Sequence, residues 1–302
     1  MNDHLHDEIL EDIKSIEKNE ALYNNNNYIL RSQAIDDIDF HIIDRIDAVL
    51  ETGDRSEHWT VLKQHAQQLK LALEDANANM FKGFRNAISQ GGYRGQDLLN
   101  LINEHVGLSP ADDEEGTKGY DEPDVFINQL LTNQLPPIET REREAEMVYY
   151  QKTPVSVVLE LVKKARFKPG DVFFDLGSGL GQATILVHLL AGVLSKGIEF
   201  EPALCSYATT CAADLHLKNV AFINTDARIA DYTEGTVFFM YTPFHGDIME
   251  AVLQKLKEEA NKRPIKIFTY GPCVAQVVQE DWLTKMNESQ NYSEQFALFI
   301  SI

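Results

Sequence analysis

From Asp171 onward, short apolar, β-branched and aromatic runs alternate with stretches of helical period, and this alternation constrains the fold most. The runs are DVFFDL, LSKGIEF, VAFINTD, TVFFMYT, IKIFTYG and FALFISI. Helical patterns fit between them, for example Gly181 to Leu190 and Asp247 to Ala260. Such alternation implies a parallel sheet with helices on both faces. A short hairpin is expected near NESQN (287–291), and the last run is expected as an antiparallel edge strand.

Before this region the period changes. Ile35, Ile38, Ile42, Ile46 and Val49 recur at spacings of three and four, as do Leu62, Ala66, Leu69 and Leu73, and both sets mark helices. Leu98, Leu99, Leu101 and Ile102 continue the pattern. Loop signals stand between: YNNNNY from Tyr23, GDRS from Gly53 and GGYRG from Gly91. ADDEEGTKGYDEPD (111–124) reads as an acidic linker, and ETREREAE ends at Glu146. We expect an all-helical N-terminal domain over 1–138, acting as a substrate, partner or cover domain, and an α/β domain over 139–302.

Charge separates the same two regions. Met1 to Glu146 holds 13 basic and 30 acidic residues, a net charge of -17, which leaves -3 for the rest. Such a field repels phosphate backbones and disfavours binding of free nucleic acid. It admits a basic protein partner, or a solvated helical surface. No apolar segment approaches the ~20 residues needed to span a bilayer. MNDHLHDEIL has no signal-peptide order. The three cysteines, Cys205, Cys211 and Cys273, show no CxxC spacing, so we expect a reduced, cytoplasmic protein. HLHD from His4 has no distant ligand set and reads as a helix start rather than a metal site.

The stretch FFDLGSGLGQ (173–182) closes the first strand and opens the next helix. In an open α/β sheet, ligands sit at the carboxyl ends of strands where the strand order reverses. Gly177, Gly179 and Gly181 let the backbone approach a ligand closely. A dinucleotide fingerprint is GxGxxG; here the spacing is GxGxG, and Gln182 takes the place of the third glycine. Asp175 would repel a pyrophosphate and welcome a cation. S-adenosylmethionine is such a ligand, with a sulfonium, an ammonium and no phosphate. Glu199, ending the second strand, can accept from ribose hydroxyls, and Asp226, after the third, from an adenine amino group. Thr153 suits an N-cap and Pro154 a first helical position, so the N–H groups that follow can receive the ligand's carboxylate. Each residue alone has a plain alternative: a loop cap for Asp175, a surface acid for Glu199, a turn residue for Asp226, a mere cap for Thr153. Their arrival in order at consecutive strand ends favours a ligand.

On these residues the chain resembles the class I S-adenosylmethionine-dependent methyltransferases over 139–302. DLGSGLGQ is most similar to the loop of the non-SET histone lysine methyltransferases, the disruptor-of-telomeric-silencing family, differing mainly at Leu180. The resemblance implies a Rossmann-like, seven-stranded doubly wound sheet. It implies Asp175 and the loop Gly177, Ser178, Gly179, Gly181 and Gln182 around the methionine part, and Glu199 on the ribose. It implies a covering segment around Tyr149 to Thr153. After the fourth strand the family carries paired asparagines, whereas this chain reads MYTPFHG, with Tyr241 and Thr242 in their place. Methyltransferases acting on conjugated amines carry Asn/Asp-Pro-Pro-Tyr/Phe there; Pro243 and Phe244 fit that pattern.

His245 and Tyr241 are the candidate catalytic groups, and Tyr241 is also a candidate cofactor contact. His245 has a titration range suited to a general base, or it caps the helix beginning near Asp247. Tyr149, Tyr150 and Tyr241 line a substrate pocket or pack in the core. The expected reaction moves a methyl group from S-adenosylmethionine, without a metal, to an N, O or S nucleophile of a small molecule or a protein. A nicotinamide oxidoreductase needs the dinucleotide spacing, and an aminopropyltransferase a carboxylate base after the fourth strand. A non-catalytic binding or scaffold role stays open.

Overall fold

The computed structural model describes residues 2–53, 56–108, 121–286 and 296–302. These form two compact units, Met1–Phe84 with Asn103–Gly107, and Arg85–Ile102 with Leu108–Ile302. No helix among the described residues is long and apolar enough to cross a membrane.

The first unit is helical, as its periodicity predicts. It contains α1 (Asn2–Glu17), α2 (Tyr28–Asp37), α3 (Asp44–Glu51) and the larger part of α4 (Glu57–Ser89). A π-helical turn, Ile38–Ile43, joins α2 to α3. Ile38, Ile42, Ile46, Trp59, Leu62, Ala66 and Leu73 fill its core with Ile9 and Ile13 of α1. His4 and His6 fall within α1, where the His6 ring meets Trp59 edge-on at 5.5 Å. Helix α5 (Gln96–Val106) has residues in both units.

The second unit holds α6 (Glu122–Leu131), α7 (Val155–Ala165), β1 (Val172–Leu176), α8 (Gln182–Ala191), β2 (Leu194–Glu199), α9 (Pro202–Asp214), β3 (Val220–Asn224), β4 (Val237–Tyr241), α10 (Gly246–Ala260), β5 (Lys266–Tyr270), α11 (Val274–Val277), β6 (Leu283–Lys285) and β7 (Ala297–Ser301). The seven strands form one sheet in the order β3-β2-β1-β4-β5-β7-β6. The first five are parallel; β7 runs antiparallel to both β5 and β6, so it lies inside the sheet rather than at the expected edge, which β6 occupies. All six apolar runs are strands. The three-residue β6 was not foreseen, and the hairpin expected at 287–291 lies outside the described residues.

The compact units divide the chain elsewhere than at 138/139. Residues 85–102 and 108–138 cluster with the sheet. Arg85 Nη1 donates to Gln129 O (2.6 Å), Gly95 N to Leu189 O (2.9 Å), and Val155 N to Asp124 Oδ1 (2.8 Å). Phe174, Phe238, Met240, Val252, Leu256 and Ile267 pack one face of the sheet against α10. The chain winds outward from β1 to β3, then returns to β4 beside β1. That reversal opens a crevice at the carboxyl ends of β1 and β4.

Candidate active site

A cavity of about 500 Å³ occupies this crevice. Asp175, Gly177, Ser178 and Gln182 line it from the β1–α8 turn, Glu199 and Glu201 from the end of β2, and Asp226 from beyond β3. Tyr241 to Phe244, Tyr270 and Gly271 line it from β4 and β5, and Glu139 to Thr153 contribute several residues from a preceding strap.

Asp175 is buried, and its Oδ2 accepts a hydrogen bond from Thr184 Oγ1 at 2.9 Å. Burial raises its carboxyl to about 7, opposed by the Thr184 bonds and assisted by the nearby Glu199 charge. The turn after it is held by Gly177 N and Ser178 N, both donating to Ile198 O. Gly177, Gly179 and Gly181 all have positive φ. A Cβ at Gly177 would strike Pro243, one at Gly181 Phe222 and Ala208, and one at Gly179 the ring of Tyr150. Of the three glycines, Gly177 alone borders the cavity. Gly179, expected to clear space for a ligand, clears space for Tyr150.

Glu199 ties the loop to its own strand. Its Oε2 accepts from Gly179 N and its Oε1 from Glu201 N, each at 2.7 Å. Burial holds its carboxyl above the usual range. Each oxygen retains a second lone pair, so two further hydroxyl donors can be accepted. Asp226 is more committed. It accepts from Arg228 N (2.8 Å), Nε (3.0 Å) and Nη2 (2.6 Å), and these bonds lower its pKa. Arg228 also reaches Glu144 of the strap. The side chain expected to meet an adenine amino group therefore pairs first with a guanidinium.

The strap is pinned along its length. Glu201 accepts from Thr140 Oγ1 and Arg141 N, both at 2.7 Å, and the Arg141 guanidinium lies 4.5 Å over the Phe200 ring. Glu146 Oε2 accepts from Ile248 N (2.9 Å), Glu146 O from His245 N (3.0 Å), and Pro243 O from Val148 N (3.1 Å).

Two expectations are corrected at the flanks. Helix α7 starts at Val155, after Pro154 at ψ 140° with no side-chain cap, so Thr153 is not its N-cap. Proline disfavours helical backbone in the residue before it, and Asp124, 31 residues upstream, takes the Val155 N–H. Thr153 is buried and lines the cavity. His245 lies outside the lining. It is exposed and forms the backbone N-cap of α10, with no capping bond from its side chain. Tyr241 does line the cavity, its ring 5.3 Å from that of Tyr270. The register pairs these two as the last residues of β4 and β5. Tyr270 was not singled out from the sequence, although the strand-end rule that marks Glu199 reaches it equally.

Ser178 Oγ and both amide atoms of Gln182 are buried with no hydrogen-bond partner among the described residues. Buried polar atoms in that condition fit a site completed by a polar ligand. Four carboxylates around a glycine turn suit a cationic, phosphate-free nucleoside and repel a dinucleotide.

Residues 142–233 match the family model described as "Histone methylation protein DOT1". This match and the sheet order support a class I, S-adenosylmethionine-dependent methyltransferase fold with a DOT1-like relationship. The matched family points to S-adenosylmethionine as the cofactor. No curated protein matches this methyltransferase. Among solved structures it is similar to an RNA methyltransferase from Salinibacter ruber in complex with S-adenosyl-L-homocysteine (22% identity, 50% of this chain and 92% of that one, TM-score 0.37). It is also similar to a SAM-dependent methyltransferase from Aquifex aeolicus (17%, 48% and 89%, 0.39) and to the human methyltransferase 10 domain containing protein (15%, 54% and 89%, 0.39).

Proposed function

We propose that this methyltransferase modifies an amine, carried by a basic protein. The supporting observation is the division of the cavity lining: carboxylates at the ends of β1, β2 and β3, tyrosines at the ends of β4 and β5. Asp175, Ser178 and Gln182 would hold the methionine part of the cofactor, with Gly177 giving backbone access. Glu199 would hold the ribose, and Asp226, fixed by Arg228, would border the base. Gly179 and Gly181 shape the loop without touching the ligand, and Thr153 closes its rim.

When bound, the cofactor supplies an electrophilic methyl group on a sulfonium, whose departure needs no proton. The chain's own task is to align the acceptor, desolvate it and exclude water. Tyr241 and Tyr270 offer two aromatic faces, which attract an ammonium on arrival. Burial between them then disfavours the charged form and promotes the neutral, nucleophilic amine. Tyr241 thus acts by binding and desolvation, and His245 has no role in this reading. The matched family's name, with its reference to histone methylation, points to the same acceptor class.

We assign the reaction to the sheet-containing unit and acceptor recognition to the helical one, whose surface is strongly acidic. Three buried, unpaired cysteines suit a reducing, cytoplasmic setting. The test is transfer of labelled methyl from S-adenosylmethionine to separate pools of basic protein, acidic protein, polyamine and RNA. Methyl-lysine in the basic pool is expected. Label found solely in RNA, or in alkali-labile esters, contradicts the reading.

A further inference from the structure

We propose that Arg143 of the strap reads the base of the cofactor, its guanidinium donating to a ring nitrogen of the adenine. This rests on the cofactor assignment above. Arg143 is the one cation lining the site cavity among the described residues. Its side chain is half-buried, and Nη1 is buried with no hydrogen-bond partner among the described residues. Glu139 Oε2 lies 3.5 Å from Nη1, near enough for an ion pair, yet no hydrogen bond forms. A buried charged donor in that condition has lost the bonds water would give it, and a ligand that brings an acceptor returns one.

The anchors of the strap fix where this guanidinium stands. On one side, Thr140 and Arg141 are bound to Glu201 and Phe200, just past β2. On the other, Glu144 is bound to Arg228, which in turn holds Asp226, just past β3. Arg143 therefore stands over the gap between these strand ends, where the ribose and base are assigned. The methionine part is assigned to the far end, at Asp175, Ser178 and Gln182. The other charged side chains on the Arg143 side, Glu139, Glu199, Glu201 and Asp226, accept as carboxylates and do not donate. They match the ribose hydroxyls and the exocyclic amine. The adenine nitrogens N1, N3 and N7 only accept, and Arg143 is the charged group able to serve one of them. The Tyr149 ring centre lies 3.6 Å from the guanidinium carbon. Stacking of this kind fixes the guanidinium plane before the ligand arrives, so less freedom is lost on binding.

Calorimetric titration of the full-length protein with S-adenosylhomocysteine and its 1-, 3- and 7-deaza analogues tests the assignment. Each analogue replaces one ring nitrogen with C–H. Arg143→Met should weaken S-adenosylhomocysteine about 10- to 100-fold. One analogue should bind the unaltered chain comparably weakly and lose less than about threefold further in Arg143→Met, while the others lose as much as the parent. Arg143→Lys, which keeps the charge without the planar fork, should restore only part of the affinity. A side chain that merely holds the strap would weaken all the ligands alike in Arg143→Met; that result, or no weakening at all, overturns the proposal and leaves the cofactor site standing. So does a loss seen with S-adenosylmethionine but not with its decarboxylated analogue, which would give Arg143 to the carboxylate. If Arg143→Met does not fold by circular dichroism, Arg143→Lys is read in its place. Deaza analogues that all bind the unaltered chain as tightly as the parent overturn the proposal without any variant. Failure of the unaltered chain to bind S-adenosylhomocysteine removes both readings.

Discussion

At Asp175, burial and ligand binding pull in opposite directions. The folded, ligand-free protein favours the protonated carboxyl, whose pKa is raised from 3.8 to about 7. The stability this group contributes is complete below 3.8 and is lost as pH rises through about 7. A cationic cofactor needs the carboxylate. Its affinity should fall as pH drops from about 8 to about 6, by up to tenfold per unit, and Asp175→Asn should remove both the dependence and most of the affinity. Calorimetry across that range reads it, and a flat profile in the unaltered chain contradicts the assignment. Gly179 offers a second residue-level test. Its φ of 53° and the Tyr150 ring each oppose a side chain. Gly179→Ala should lower the melting temperature, and Tyr150→Ala in that background should restore part of the loss. No restoration means that the ring is not what Gly179 accommodates.

Among the elements, α7 depends on a partner that precedes the whole α/β succession. Asp124 caps it from α6, buried and bonded to Val155 N. Asp124→Ala should cost about 1–3 kcal/mol in denaturant unfolding, the usual penalty for a buried N–H left unpaired; an unchanged midpoint means that water replaces it. This cap was not legible in the sequence because it joins positions 31 residues apart, while Thr153-Pro154 offered a complete local solution. The five parallel strands were legible because VFFDL, VFFMY and KIFTY are apolar runs bounded by glycine, proline or acids. β6, with three residues and an exposed position at its centre, carries no such signal. The π turn from Ile38 to Ile43 hides inside a pattern that reads as continuous helix. Asp175, Glu199 and Gln182 were legible because strand ends can be located in the chain. The Arg228–Glu144 and Glu201–Thr140 anchors were not, since pairing between distant charged residues leaves no periodic trace.

The whole molecule carries a net charge of -20. A field of that sign concentrates basic acceptors and is screened within about 8 Å at physiological salt. KM for a basic protein acceptor should rise several-fold between about 50 and 300 mM salt, while cofactor affinity, set inside a buried site, stays nearly constant. A salt-independent KM argues for a neutral acceptor. The central claim is that a strand-end carboxylate holds the cofactor nucleoside, and titration of S-adenosylhomocysteine into the unaltered protein, Glu199→Gln and Glu258→Gln tests it most directly. Glu258 is an exposed residue of α10. The account predicts one-to-one binding, weakened about 10- to 100-fold by Glu199→Gln and unaffected by Glu258→Gln; equal affinity in the two variants, or no binding to the unaltered chain, would contradict it.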